Sequence, residues 1–434
     1  VMAIDRSYEA ALQKAVRALE IGGRSLLWED RAWTTSDEPK AKPALYQTIR
    51  KLWALIETPN DQRLWAITAA LRRGVSIKDL HNRTGIDPWF LTKIHNIVAM
   101  ERRLLEEALT PDLLLEAKRL GFSDAQIATL ADRLPEQVRR LRQQWKIFPV
   151  FKMVDTCASE FEAATPYYYS TYELENEALP TDKAKACVIG SGPIRIGQGI
   201  EFDYCSVHSA WALRDAGVES IMINSNPETV STDFDTSSRL YFEALDEESV
   251  RDILENEGLA ATPAIVQFGG QTAINLADPL NRGGARQLGS STEAIDLAED
   301  RKRFEDFLNH LGIPQPPGGA VTTVEEALNV AKLIGYPVLV RPSYVLGGRA
   351  MEICHNATEL VRYIGAAVEF SSEHPILVDK YLEGKEVEVD AICDGSTVLI
   401  PGVMEHIERA GVHSGDSMAV YPGVNLSPRE VDTI

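Results

Sequence analysis

Two different periodicities divide this chain, and no single layer of structure accommodates both. Up to residue 148, apolar residues recur three and four positions apart, as in Tyr8 to Leu19, Leu64 to Leu71 and Ile94 to Leu105. That spacing gives a helix one buried face. Past residue 183, short apolar runs take over: Ala186-Cys-Val-Ile189, Ser220-Ile-Met-Ile-Asn224 and Ala264-Ile-Val-Gln-Phe268, separated by helical stretches at Ser209 to Ala216 and Ser249 to Glu255. Strands alternating with helices predict a parallel, doubly wound sheet. With 434 residues the chain exceeds one core and predicts about three domains.

The helical part contains a repeat. Gly74-Val-Ser76 with Leu80, Pro88, Leu91 and Ile94 recurs 47 residues later as Gly121-Phe-Ser123 with Ile127, Pro135, Val138 and Leu141. In each copy the serine is positioned to cap one helix and the proline to open the next, which gives two helix-turn-helix units. Such units bind DNA or serve as packing modules, and the last helix carries Arg139, Arg140 and Arg142. Residues 1–148 hold 24 Lys and Arg against 19 Asp and Glu, whereas residues 149–434 hold 20 against 45, for a net charge of −20. A chain this acidic repels a polyanion, so nucleic acid is not an expected partner and self-association through the helical domain is. No apolar run approaches a membrane span, and the five cysteines are scattered without a Cys-x-x-Cys pair. Neither a membrane partner nor a zinc or disulfide framework is expected, and a reducing, cytoplasmic setting is.

Residues 149–182, rich in tyrosine and glutamate, read as an ordered linker packed between domains, because flexible linkers lack aromatics. From Arg301 a further α/β unit begins with helices Arg301 to Leu311 and Val324 to Ile334. Pro337 to Ile353 then reads as strand, glycine turn, strand, with Arg341 ending the first strand and Arg349 leaving the turn at Gly347-Gly348. Glycines admit an anion close to backbone N–H groups, and a guanidinium adds a bidentate contact. Taken alone, the same segment is also an ordinary β-hairpin with a glycine tip. Strands Ile376 to Leu382 and Glu386 to Asp390 follow, and no P-loop string occurs anywhere. Gly190-Ser-Gly-Pro-Ile-Arg-Ile-Gly197 fails the spacing of a dinucleotide fingerprint. With the polar turns Asn224 to Asp233 and Gly269-Gly-Gln-Thr272, it nevertheless stands at the carboxyl ends of strands, where ligand crevices form. The capping box Ser427-Pro-Arg-Glu430 has only four residues after it, the expectation for a chain cut rather than finished.

Five strings, Gly197-Gln-Gly-Ile-Glu-Phe-Asp-Tyr204, Ser225-Asn-Pro-Glu-Thr-Val-Ser-Thr-Asp233, Gln267-Phe-Gly-Gly-Gln-Thr272, Val340 to Glu352 and Met404 to Asp416, closely resemble the large subunit of carbamoyl-phosphate synthetase. The resemblance implies a multidomain chain: an all-α helical oligomerisation domain (1–148), the linker (149–182), a Rossmann-like α/β pre-ATP-grasp domain (183–300) and an α+β ATP-grasp domain (301–434), truncated at its C-terminus. It implies an ATP-dependent ligase that phosphorylates carbamate to carbamoyl phosphate with ATP and magnesium, for arginine and pyrimidine biosynthesis, with a glutaminase small subunit or domain as partner. Residue by residue, Arg301 and Arg341 match arginines that contact phosphate, with Arg349 as a third catalytic arginine, and Gly347 and Gly348 match the loop that covers the phosphates. Lys380 and Leu382 match the hinge strand at the adenine, Glu386 a carboxylate on the ribose, and Gly411, Val412, His413 and Ser414 a second segment at the nucleotide. Glu201 and Glu228 match carboxylates that border an internal passage for carbamate. The family's metal ligands match positions after Ile434, so no metal ligand is expected within the chain. The isolated chain is expected to bind nucleotide weakly without catalysis; the alternative is a non-catalytic oligomerisation fragment.

Overall fold

A computed structural model describes the chain apart from residues 1, 22–23, 34–41, 159, 162, 164, 195–199, 343–350, 371–375 and 409–416, and apart from the side chains of residues 42–46, 301–302, 342 and 365–370. The chain divides into two compact units, Val1–Ile194 with Phe202–Thr292, and Arg195–Glu201 with Glu293–Ile434.

The first unit opens with α1 (Tyr8–Ala18), α2 (Lys42–Glu57), α3 (Arg63–Arg72), α4 (Ile77–Thr84), α5 (Pro88–Glu106), α6 (Pro111–Arg119), α7 (Asp124–Leu130) and α8 (Pro135–Gln144). The repeat folds as its residues dictate. Ser76 and Ser123 accept the N–H groups of Asp79 and Gln126 to cap α4 and α7, and Pro88 and Pro135 start α5 and α8. Leu52, Ile56, Leu80, Leu91, Ile97, Leu114 and Ile127 meet in one solvent-free core. Gly121 lets α1 cross the second copy closely: its φ is +86°, and a Cβ there would lie 2.6 Å from the Cα of Ala10.

Then follow β1 (Val150–Met153), β2 (Tyr167–Thr171), β3 (Lys185–Ile189), α9 (Glu201–Asp215), β4 (Glu219–Asn224), β5 (Arg239–Phe242), α10 (Glu247–Glu257), β6 (Ala264–Ile265), α11 (Gly270–Ile274), α12 (Ala277–Arg282) and β7 (Gln287–Leu288). The strands form one sheet in the order β1-β2-β5-β4-β3-β6-β7. It is parallel from β2 to β7, with β1 antiparallel at its edge. The stretch 149–182, expected as a linker, thus supplies two strands. Its aromatics hold it there: Phe151 and Tyr168 pack on the ring of Tyr241 in β5 at centroid distances of 5.1 and 5.6 Å. In the other direction, β6 is only two residues long where the apolar run predicted five.

Helices and sheet of this unit meet at a seam of buried ion pairs. The helical side contributes Lys14 and Arg17 of α1, Lys118 of α6, and Arg139 and Arg142 of α8. The sheet side contributes Glu243, Asp246, Glu248, Asp252 and Glu255. Lys14 stands 2.7 Å from Glu243, Arg17 3.0 Å from Asp246, and Arg139 2.8 Å from both Asp252 and Glu255, while Lys118 meets Glu248. Arg142, 1% exposed, bonds both oxygens of Asp124 at 2.8 and 2.9 Å and reaches Asp252 at 3.3 Å. Two of the three arginines that could have faced DNA are therefore internal, and only Arg140 of the three is exposed.

In the second unit come α13 (Thr292–Glu299), α14 (Arg301–Leu311), β8 (Gly318–Val321), α15 (Val324–Ile334), β9 (Val338–Pro342), β10 (Glu352–Cys354), α16 (Ala357–Phe370) and β11 (Ile376–Lys380). An antiparallel sheet of order β10-β9-β11-β8 turns Val338, Val340, Ile376 and Val378 toward Ala327 and Ala331 of α15 and Leu360 and Ile364 of α16. α14 and α15 run over the residues predicted, because Asp300 and Thr323 cap them. After β12 (Val387–Glu388), β13 (Ile392–Cys393), β14 (Val398–Leu399), β15 (Met404–His406), β16 (Ala419–Val420) and α17 (Pro428–Thr433), the strands form a second sheet β12-β15-β16 and a β13-β14 hairpin. Among the described residues no helix is long and apolar enough to cross a membrane.

Removing Arg142 would strip the buried Asp124 of its guanidinium hydrogen bonds and leave only Lys118 and Arg139 to meet Asp124, Glu248 and Asp252. Arg142→Ala is expected to lower the unfolding free energy in urea by roughly 3–5 kcal/mol, and Arg140→Ala by less than about 0.5 kcal/mol. Equal, small losses would show that the seam contributes nothing.

Candidate functional site

Most candidate residues belong to the second unit. β9 and β11 run antiparallel, with Leu377 opposite Arg341 and Lys380 opposite Val338. Arg341 is thus carried on an interior strand, and its half-exposed guanidinium has Asp379 at 3.7 Å. At that distance the carboxylate orients the guanidinium electrostatically without the short bonds that would occupy its five N–H donors. Lys380 is used otherwise. Its ammonium donates to the carbonyls of Gly335 and Tyr336 at 3.0 and 2.8 Å, fastening the end of β11 to the turn before β9. Beyond β11, Leu382 is 55% exposed, an apolar surface able to meet a flat ligand. Glu386 is half-buried, and its carbonyl accepts the N–H of His406 at 3.0 Å.

The structure therefore places Arg341 and Lys380 on neighbouring strands β9 and β11 of one unit, and Leu382 and Glu386 on the connection from β11 to β12, short of the strands expected over 376–382 and 386–390. Arg349, Gly347, Gly348, Gly411, Val412, His413 and Ser414 lie outside the described residues, as does the side chain of Arg301, whose backbone opens α14. His406 is a residue the sequence reading missed. Buried in β15, it has Nδ1 2.8 Å from Ser417 Oγ and Nε2 3.1 Å from Glu388. Ser417 donates to Glu408 at 2.8 Å, and that bond holds the Glu408 carboxyl below the usual carboxylate range. The pairing of β12, β15 and β16 assembles this cluster, and a local period of three residues does not reveal it.

In the first unit the polar turns after β3, β4 and β6 converge on Asn224. Its buried Oδ1 accepts the N–H groups of Gly192 at 3.1 Å and Ser225 at 2.8 Å, and its Nδ2 donates to Ser231 at 2.9 Å. The glycines permit this packing: a Cβ at Gly190 would lie 2.7 Å from the Asn224 amide, and one at Gly269 2.5 Å from the carbonyl oxygen of Gly190. Glu20, just past α1, closes over the turns. It accepts the hydroxyl of Thr272 at 2.7 Å, and its other oxygen lies 2.6 Å from where a Cβ on Gly192 would be. A carboxylate pressed against the second glycine opposes a pyrophosphate there, and the turn also departs from the fingerprint in its spacing. Glu201 begins α9 and Glu228 follows β4; both are exposed. Among the described residues no group of three or more His, Cys, Asp or Glu is arranged to hold a metal ion.

A helical domain, a Rossmann-like α/β sheet and an α+β unit in this order define an ATP-grasp protein. The chain belongs to the carbamoyl-phosphate synthetase large-chain family. Residues 1–146 match the carbamoyl-phosphate synthetase large-chain oligomerisation domain, 182–297 the carbamoyl phosphate synthase preATP-grasp domain, and 300–434 the carbamoyl-phosphate synthase L-chain ATP-binding domain. The carbamoyl phosphate synthase large chain of Thermomicrobium roseum is 58% identical over 438 residues, which take in 100% of this chain and 39% of that one. The chain thus spans less than half the length of that relative. Among solved structures, the biotin carboxylase domain of the Hydrogenobacter thermophilus 2-oxoglutarate carboxylase is 25% identical, with 58% of this chain and 56% of that one covered at a TM-score of 0.46. The N5-carboxyaminoimidazole ribonucleotide synthetase of Thermus thermophilus is 18% identical over 57% and 61% of the two chains, at 0.43.

Gly192 and Gly217 both have positive φ, but a Cβ at Gly217 meets nothing within 4 Å. Gly217→Ala is therefore expected to cost about 1–2 kcal/mol for the backbone conformation alone. Gly192→Ala should cost about 1–3 kcal/mol more, because it also displaces Glu20. Equal losses in thermal or urea unfolding would contradict the close approach of Glu20.

Proposed function

We propose that the second unit binds ATP with magnesium and that, in the whole protein, it phosphorylates carbamate to carbamoyl phosphate for arginine and pyrimidine biosynthesis. Phosphoryl transfer asks a protein mainly to position the nucleotide and to neutralise developing charge. In this reading Arg301, Arg341 and Arg349 hold phosphate oxygens, and the backbone of Gly347 and Gly348 covers them. Leu382 and the backbone at Lys380 face the adenine, Glu386 accepts from the ribose hydroxyls, and Gly411, Val412, His413 and Ser414 form a second edge of the site. Glu201 and Glu228 border the path by which carbamate arrives. Magnesium, when bound, would neutralise the β and γ oxygens. The domains run 1–148, 183–300 and 301–434, the helical domain self-associates, a glutaminase small subunit or domain supplies ammonia, and the setting is cytoplasmic.

One observation carries the reading. Arg341 is fixed on a sheet strand with its guanidinium accessible, beside the strand that leads on to Leu382 and Glu386. Titration calorimetry with magnesium ATP tests it: Arg341→Ala is expected to weaken binding by about 2 kcal/mol, roughly thirtyfold. Equal affinities for wild type and variant would contradict it.

A second reading, association without catalysis, has its own observation. Trp89 and Phe90, 50% and 43% exposed, pack edge-on to Tyr8 at 5.4 Å and present an aromatic surface on the helices. Sedimentation of wild type against Trp89→Ser is expected to show weaker self-association in the variant.

A further inference from the structure

We propose that the carboxyl group of Asp252 takes up a proton in mildly acidic solution while the helices of the first unit stay docked on its sheet, so that the seam tightens as the pH falls. Asp252 lies on α10, 8% exposed, and its hydrogen bonds are longer than those of its neighbours Asp124 and Glu248. Asp124 takes hydrogen bonds from Arg142 on both oxygens and an ion pair from Lys118 at 3.2 Å. Glu248 takes Lys118 and the backbone N–H of Asp124. Asp252 is left with Arg142 at 3.3 and 3.4 Å and with a nitrogen of Arg139 at 2.8 Å that is not aligned for a hydrogen bond.

The charges that act on Asp252 are Arg139 and Arg142 of α8, Asp124 of α7 and Glu248 of its own helix, and the same cluster takes in Lys118 of α6 through Asp124 and Glu255 of α10 through Arg139. Tyr172, after β2, also faces it, and burial keeps that phenol neutral by raising its pKa. Arg17 of α1 is paired with Asp246. Three cations thus face four carboxylates. At the rim, Arg251 meets Glu136 and Glu247 as well as Glu255, so the negative surplus persists outward. A surplus carboxylate out of water is more stable neutral than charged, and the proton settles where hydrogen bonding to the anion is poorest. Burial, helped by Glu248 and Asp124, pushes the Asp252 carboxyl up to about 6 against the pull of Arg142 and Arg139. Glu248 moves the other way: burial opposes its charge, but Lys118, Arg142 and Arg17 hold it low. A cleft of about 30 Å³ bordered by Lys118, Tyr172, Glu248 and Asp252 has room for a water beside the carboxyl.

Because the folded value is raised, the stability from this proton is full below the unfolded value of about 4 and is lost as pH rises through about 6. Six of the seven tryptophans lie in residues 1–148, so tryptophan fluorescence of the full chain in urea reports the helical layer. Asp252→Asn replaces the protonated acid with a neutral amide. Between about pH 4.5 and 6, the unfolding constant of the wild type is expected to rise relative to that of the variant by up to about tenfold per pH unit. Parallel pH profiles would overturn the proposal. Glu255→Gln, at the rim with its side chain 27% exposed, removes the surplus charge without emptying the core. It is expected to move the inflection of the wild-type profile to lower pH by about half a unit or more. An unmoved inflection would overturn the proposal even if Asp252→Asn did not fold.

Discussion

Arg142 lies buried between the helical layer and the α/β sheet, and the rest of the first unit depends on how its charge is met. A buried ion pair stabilises only when its hydrogen bonds are nearly complete, because both ions have lost their water. That demand makes the seam selective about geometry in a way that apolar packing is not. Asp124 on α7, Glu248 and Asp252 on α10, and Lys118 on α6 must arrive together for any of them to be satisfied. The same registration brings Lys14 onto Glu243 and Arg17 onto Asp246, and it sets the end of α1 where Glu20 reaches Thr272. The seam also gives the uneven charge of the chain a structural meaning: the basic helical part places its cations against the acidic flank of the sheet rather than against a polyanion.

The second unit works on a different principle. Arg341 and Lys380 sit on strands paired in one ladder, so each of these two side chains is positioned by its backbone, whereas Leu382 and Glu386 lie on the connection that follows. Arg341 is oriented by a carboxylate held just beyond hydrogen-bonding distance, which keeps its donors accessible. Lys380, by contrast, is tied to two carbonyls, and its charge serves the fold. Two cations on neighbouring strands therefore have opposite uses, and the difference lies in their nearest acceptors.

Much of this was legible in the sequence. The capped helices α4, α7, α14 and α15 follow from Ser76, Ser123, Asp300 and Thr323, since capping is local chemistry. β3 and β4 follow from continuous apolar runs. Where partners were distant, the sequence was silent. The tyrosines at 167–169 form a strand because Tyr241, more than seventy residues later, offers a ring and a parallel edge. Arg139 and Arg142 read as a basic helix face, and their burial depends on Asp252, 110 residues from Arg142. His406 escaped notice for the same reason, as its contacts come from Glu388 and Ser417 across two strand pairings. In the candidate site, the strand positions of Arg341 and Lys380 were readable, whereas the use of each charge was not.

The claim that charge pairing makes helices and sheet one cooperative body is tested most directly by native-state hydrogen exchange on the full chain. The account predicts that amides of α8 and α10 share a single opening free energy, and that this shared value falls for both helices together in Arg142→Ala. Separate opening energies for the two helices, with α8 exchanging while α10 stays protected, would contradict it.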